Sequence, residues 1–149
     1  MIRTPVLVSG ALIALSLGSA VKADDTDPPS FAYLLHCSGC HLENGAGDPP
    51  VIPDLRYDLV GLLESPAGRD YMVRVPGVTD APIPAWQMAD LMNWMVRYLY
   101  PDYDTFKPFT EQEIITGRNT KLYDPIKYRN DLVVESTTGS VSAGAPLTK

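Results

Sequence analysis

The stretch Cys37-Ser38-Gly39-Cys40-His41 limits what this chain can fold into more than any other part of the sequence. It contains both cysteines of the 149-residue protein and one of its two histidines. Two thiols three positions apart on one helical turn can each form a thioether with a vinyl group of a haem, and the next histidine then lies under the iron. The spacing predicts one covalently bound haem c, with thioethers at Cys37 and Cys40 and with His41 as proximal ligand.

Two other uses of a Cys-x-x-Cys pair fit the flanking sequence less well. A zinc site needs about four ligands in a tetrahedron, whereas this chain places all its cysteines and histidines within six consecutive residues. A thioredoxin-like redox pair follows a strand and opens a helix, but no β-branched run precedes Cys37. A simple disulfide with an incidental His41 stays open on the motif alone.

The N-terminus predicts export from the cytoplasm. A positive charge at Arg3 and an apolar run over residues 5–20 are typical of a secretory signal. A retained membrane anchor is less favoured, because the run is shorter than the about 18 to 20 apolar residues that a spanning helix needs. We therefore predict a signal peptide over residues 1–23, a periplasmic mature protein starting at Asp24, and no membrane insertion after signal removal.

The mature chain is acidic. Loss of Arg3 and Lys22 with the signal changes the formal charge from −6 to −8. This charge disfavours nucleic acid and anionic membranes as partners and favours redox proteins with a basic docking patch. The alternative, that the charge merely keeps an exported protein soluble, stays open.

Glycine and proline crowd the segment 45–53, which predicts an irregular loop. The loop residues follow the cysteine motif at a recognisable spacing: Cys37-x-x-Cys40-His41-x-x-x-Gly45-x-Gly47, then Ile52-Pro53-x-Leu55. This pattern resembles the class I c-type cytochromes, small all-helical electron carriers, although they often have glycine at the position of Leu42. The resemblance implies an all-α fold around one haem. It also implies that the Pro53 carbonyl accepts a hydrogen bond from the proximal histidine and so fixes the imidazole plane.

Apolar spacing predicts three helices in the haem domain, over residues 30–40, 57–63 and 85–100. In the first helix Phe31 and Leu35 are expected to face the core. Residues 68–77 are expected to be partly extended. The resemblance implies that Trp94 packs near the haem where the last helix crosses the first, against Phe31 or Leu34.

The second axial ligand is predicted to be a methionine, because a thioether stabilises reduced iron. Met72 is favoured, since it lies in the connecting segment where the resembling family places this ligand. Met88, Met92 and Met95 share one helix face, a pattern typical of core packing. One of these three, or no methionine at all, stays open as an alternative. Arg69 is a candidate contact for a haem propionate, because guanidinium groups bind carboxylates well.

The chain continues beyond a minimal cytochrome. A capping-box pattern at Thr110 and Glu113, followed by a second short helix predicted from about residue 123 to 134, indicates a helical extension docked on the haem domain. The predicted organisation is a signal peptide at 1–23, a haem domain at 24–100, this extension at 101–135 and a disordered tail at 136–149.

Taken together, motif and resemblance predict an exported electron-transfer protein rather than an enzyme. It would pass single electrons between redox proteins, from a periplasmic dehydrogenase toward a terminal acceptor. Two alternatives stay open. One is a haem subunit fixed to a larger enzyme through residues 101–135, and the other is a haem enzyme or sensor with an open distal site.

Overall fold

The structure is a computed structural model that describes residues 29–57 and 59–132. These residues form helices, turns and loops, with one isolated β-bridge between Asp48 and Ile52. The described part of the chain is therefore all-α, as predicted. The predicted signal peptide and the predicted disordered tail lie outside the described residues. Within the described ranges, no helix has the length and apolar character needed to cross a membrane.

The described ranges contain the helices α1 Pro29–His36, α2 Ser38–His41, α3 Leu59–Leu63, α4 Pro66–Arg74, α5 Pro76–Thr79, α6 Ala85–Leu99 and α7 Glu111–Asn119. Residues 125–132 are also helical and are called α8. The long helix α6 packs against α1 on one side and α7 on another, and α7 also packs against α4. The core therefore forms around α6, as its wide apolar face predicts.

The first helix is rotated relative to the sequence-based expectation. Ala32 and Tyr33 are buried, at 1% and 2% exposure, whereas Phe31 and Leu35 are 45% and 57% exposed. The prediction that Phe31 and Leu35 face the core is therefore wrong. Ala32 and Tyr33 both belong to the core cluster, and α1 packs against α6. The ring of Tyr33 is therefore buried in place of the Phe31 ring, which the local spacing favours for the core.

The crossing of α1 and α6 is formed by aromatic side chains. The ring centroids of Tyr33 and Trp94 are 5.7 Å apart, and Trp94 stacks on Tyr98 at 4.9 Å. Trp94 thus lies at the helix crossing, but its partner is Tyr33 rather than Phe31 or Leu34. This difference follows from the rotation of α1.

Residues 68–77 are largely helical rather than extended. The Ser65 hydroxyl accepts a hydrogen bond from the Gly68 amide at 2.9 Å and so caps the N-terminus of α4. Burial of one face of α4 overrides the weak strand preference of its aromatic and β-branched residues. Met72, which is 5% exposed, consequently lies within a helix and not in a connecting loop.

The C-terminal extension packs onto α4 and α6. The predicted capping box is present: Thr110 Oγ1 accepts from the Glu113 amide, and the Glu113 carboxylate accepts from the Thr110 amide at 2.8 Å. In α8, Tyr128 stacks on Tyr71 with ring centroids 6.1 Å apart. These contacts place residues 101–132 against the helices that surround the site described below.

An ion pair between Arg69 and Glu113 joins α4 to α7 and gives a pH-dependent prediction. The distance from Arg69 Nε to Glu113 Oε1 is 2.6 Å, and this hydrogen bond lowers the pKa of Glu113 to about 2. Because the pKa is depressed in the folded state, the pair stabilises the fold above the ordinary glutamate pKa and loses its effect as the pH falls toward 2. E113Q, which retains a capping-box residue, should lower the free energy of unfolding by about 1–2 kcal/mol at pH 7.

Urea unfolding of wild type and E113Q at several pH values tests this prediction. The difference between the two proteins should shrink below pH 4.5 and vanish near pH 2. D80N is the matched control, because it breaks the exposed ion pair of Asp80 with Lys121 and should change the free energy of unfolding by less than about 0.5 kcal/mol. If E113Q lowers the free energy of unfolding by the same amount at all pH values, the ion-pair explanation is contradicted.

Leu42 follows the motif in a backbone conformation that favours glycine, with φ 48° and ψ 174°. Such a conformation costs a residue with a Cβ about 1–3 kcal/mol. Leu42 is 56% exposed, so little burial is lost on removing its side chain. L42G should therefore raise the free energy of unfolding by about 1 kcal/mol, whereas L42A should not raise it. Thermal unfolding of both variants checks the difference, and equal stability of the two would refute backbone strain at this position.

Candidate functional site

A cavity of about 360 Å³ lies between α2, the loop after it, α4 and α6. This volume is within the range of roughly 300–1,000 Å³ found for small-molecule and cofactor sites, and a packed core leaves few voids larger than a water molecule. Five of the seven side chains that the sequence nominates for the site line this cavity: Cys37, Cys40, His41, Pro53 and Met72. The remaining lining is mostly leucine, valine, isoleucine and methionine. The structure thus brings most of the predicted site to one apolar cavity.

His41 ends α2 and is oriented by the loop that follows. Its Nδ1 lies 3.1 Å from the carbonyl oxygen of Pro53. With Nδ1 donating to this carbonyl, Nε2 is the unprotonated nitrogen. Burial lowers the pKa of His41, although the Pro53 carbonyl and Asp54 act in the opposite direction. The ring is therefore favoured in the neutral form that binds metals.

The loop that carries Pro53 is held closely against the protein. A Cβ at Gly47 would lie 2.4 Å from the carbonyl oxygens of both Ile52 and Pro53, so this approach requires glycine. The Leu55 amide donates to the Gly45 carbonyl at 2.9 Å, and the Leu55 carbonyl accepts from the Tyr100 hydroxyl at 2.6 Å. These contacts fix the position of the carbonyl that orients His41.

The two cysteines lie at one wall of the cavity as free thiols. Burial raises the pKa of Cys37 to about 11, with a smaller contribution from Cys40. A thiol with so high a pKa stays protonated at neutral pH, unlike the low-pKa thiolates of disulfide oxidoreductases. No cluster of three or more metal-binding His, Cys, Asp or Glu side chains occurs in the described ranges, so the structure offers no support for the zinc alternative.

All four methionines of the described residues contribute to the cavity wall. Met72 comes from α4, and Met88, Met92 and Met95 come from α6, each at most 6% exposed. Met88, Met92 and Met95 on α6 therefore both pack in the core and line the cavity. The choice of Met72 over these three stays a prediction.

Arg69 and Trp94 are absent from the cavity lining. The Arg69 guanidinium pairs with Glu113 and donates to the carbonyls of Lys107 and Pro108, at 2.7 and 2.8 Å. This geometry does not support the sequence-based assignment of Arg69 as a propionate contact, because its donors are engaged by Glu113, Lys107 and Pro108 and it does not line the cavity. Trp94 retains only the predicted role in helix packing.

The cavity has lining residues that sequence reasoning missed. Helix α8 contributes Pro125, Ile126 and Arg129, and His36 lies beside Cys37 at the wall. Arg129 Nη2 donates to the carbonyl of Pro50, so α8 also contacts the loop after the cysteine motif. No local motif marks Pro125, Ile126 and Arg129, since they reach the site only through the docking of the extension.

The chemistry of the site follows from its donors. An oriented neutral imidazole and buried thioethers are ligands that suit transition metals such as iron and copper, and the apolar wall suits a large apolar cofactor. Comparison of the chain with protein-family models, with curated proteins and with solved structures finds no significant match.

Proposed function

We propose that the protein is an exported electron carrier of the class I c-type cytochrome kind, with one covalent haem c in this cavity. The observation that carries the proposal is the 3.1 Å contact between His41 Nδ1 and the Pro53 carbonyl. The contact lies in a cavity whose wall also contains both thiols of the motif. A carbonyl held on the far side of a histidine ring is the usual way in which a protein orients a metal ligand.

The residues of the cavity fit a haem. Cys37 and Cys40 would hold it through thioethers, His41 would bind the iron, and Met72 would be the second axial ligand. The apolar lining matches the hydrophobic surface of the macrocycle and excludes water from it. When bound, the haem supplies reversible one-electron chemistry at its iron.

The protein's own part in electron transfer is to hold the redox centre in a fixed environment. Pro53 fixes the orientation of His41, and the close contact at Gly47 keeps the loop from relaxing. Apolar burial and a thioether ligand favour the reduced state and so raise the reduction potential. The acidic surface guides association with a redox partner that carries a basic patch.

A second candidate is a haem subunit fixed to a larger protein. Its support is the exposed apolar face of α1, where Phe31, Leu34 and Leu35 are each 45–57% exposed. Exposed apolar patches of this kind often mark protein–protein interfaces. Native-source pull-down with wild type and a F31S/L35S variant distinguishes the candidates, because a stable complex lost only in the variant would favour the subunit.

The proposed function is tested by the mass and spectrum of the full chain, expressed with its leader in a bacterium that attaches haem to exported proteins. We expect the denatured protein to retain the mass of one haem and the native protein to show reversible one-electron reduction. The C37A/C40A variant should lose the covalent haem, whereas S38A, which alters the residue between the cysteines, should retain it. A wild-type protein without covalent haem would overturn the proposal.

A further inference from the structure

Among the described residues that line the cavity, Arg129 is the only lysine or arginine. It lies on α8, in the extension beyond the minimal haem domain, and is half-buried. The surrounding wall is almost entirely apolar. A cation in such a place needs a specific explanation, because desolvation of an unpaired charge is costly.

The known partners of Arg129 are neutral. Its Nη2 donates to the carbonyl of Pro50, and its guanidinium lies near enough to the Tyr71 hydroxyl to oppose the rise that burial causes in the pKa of Tyr71. No carboxylate of the described chain forms an ion pair with it. The same is true of Arg97 and Arg118, but these two arginines do not line the cavity. Asp54, the acidic residue at the cavity wall, is already paired with Arg56. The guanidinium has five N–H donors, so the hydrogen bond to Pro50 leaves it able to bind an anion.

We propose that Arg129 binds a carboxylate of the molecule that occupies the cavity. The inference rests on the proposed function, in which the occupant is haem and the carboxylate is one of its propionates. The planar fork of a guanidinium matches a carboxylate through two parallel hydrogen bonds. The contact with Pro50 holds the side chain in place before the ligand arrives, so less rotamer entropy is lost on binding.

The proposal gives the extension a role in the site. Helix α8 closes one side of the cavity with Pro125 and Ile126 and supplies the charge that the apolar wall lacks. Stacking of Tyr128 on Tyr71, with centroids 6.1 Å apart, holds the helix over the site. The extension then belongs to the binding site of this protein and is not only a surface for another protein.

The test compares R129Q, R129K and K127Q in the haem-loaded full chain. K127Q is the matched control, because it removes one positive charge from the exposed face of the same helix, outside the cavity. The first readout is the resonance Raman bending band of the propionates, which responds to their hydrogen bonding. The second is the ratio of ferrous to ferric protein at a fixed ambient potential.

We expect R129Q to shift the propionate band and to lower the ferrous-to-ferric ratio roughly fivefold, because loss of a nearby cation favours the oxidised iron. R129K keeps the positive charge but lacks the planar guanidinium, so it should shift the propionate band with a smaller change in the ferrous-to-ferric ratio. If R129Q does not fold, R129K provides the test. K127Q should match wild type in both readouts. An unchanged band and ratio in haem-loaded Arg129 variants overturns this inference alone, whereas absence of haem from wild type overturns the proposed function and the inference with it.

Discussion

Replacement of Met72 by leucine is expected to abolish the far-red absorption band of ferric haem bound to methionine sulfur, and to lower the reduction potential. Leucine fills nearly the same space as methionine but has no sulfur to bind iron. The side chain is only 5% exposed, yet a volume-conserving exchange of this kind costs less than about 1.5 kcal/mol in stability. The spectral change should therefore occur in a folded protein. The measurements are the ferric absorption spectrum and a redox titration of purified M72L.

The matched controls are M88L, M92L and M95L, since these three methionines line the same cavity from α6. Each should keep the far-red band, because its thioether serves packing. Loss of the band in one of these variants, with the band retained in M72L, would assign the axial ligand to α6. If the wild-type protein lacks the band and binds carbon monoxide readily, no methionine is the second axial ligand of the iron. This result would support the alternative with an open distal site.

The parts of the fold that short-range pattern specifies could be predicted from the sequence. Helix α6 follows from an apolar face repeated over four turns, and the start of α7 follows from Thr110 and Glu113, whose capping bonds form within one turn. The contact of His41 with Pro53 followed from a resemblance carried by closely spaced residues. In each case the residues that interact lie within about one helix or one loop of each other.

The errors arose where distant contacts decide the structure. The rotation of α1 depends on how Tyr33 and Trp94 meet, 61 positions apart in the chain, and no local pattern contains that information. The helical state of residues 66–74 depends on burial of Met72 and its neighbours against other helices. Arg69 and Arg129 are equivalent as isolated arginines in the sequence. Only the docking of α7 and α8 pairs one with Glu113 and leaves the other at the cavity.

Replacement of Gly47 by alanine should have the largest effect on the proximal side of the site. The added Cβ would lie 2.4 Å from the carbonyl oxygens of Ile52 and Pro53 and 2.7 Å from the Pro53 carbonyl carbon. These are backbone atoms, so the clash can be relieved only by moving the loop, and this movement carries the acceptor away from His41. We expect the free energy of unfolding to fall by about 2 kcal/mol or more. In the haem-loaded protein the reduction potential should also rise, because loss of the carbonyl hydrogen bond weakens the imidazole as a donor to ferric iron.

G61A is the matched control for this substitution. Gly61 lies in the middle of α3, and a Cβ built there has no atom within 4 Å. The same added methyl group should therefore raise the free energy of unfolding by about 0.5–1 kcal/mol, since alanine favours the helix over glycine, and it should leave the reduction potential unchanged. Chemical denaturation and redox titration of both variants measure the contrast. If G47A is as stable as G61A and keeps the wild-type potential, the close approach of the loop at Gly47 is not what holds the Pro53 carbonyl on His41. The orientation of the ring must then depend on the packing of α2 itself.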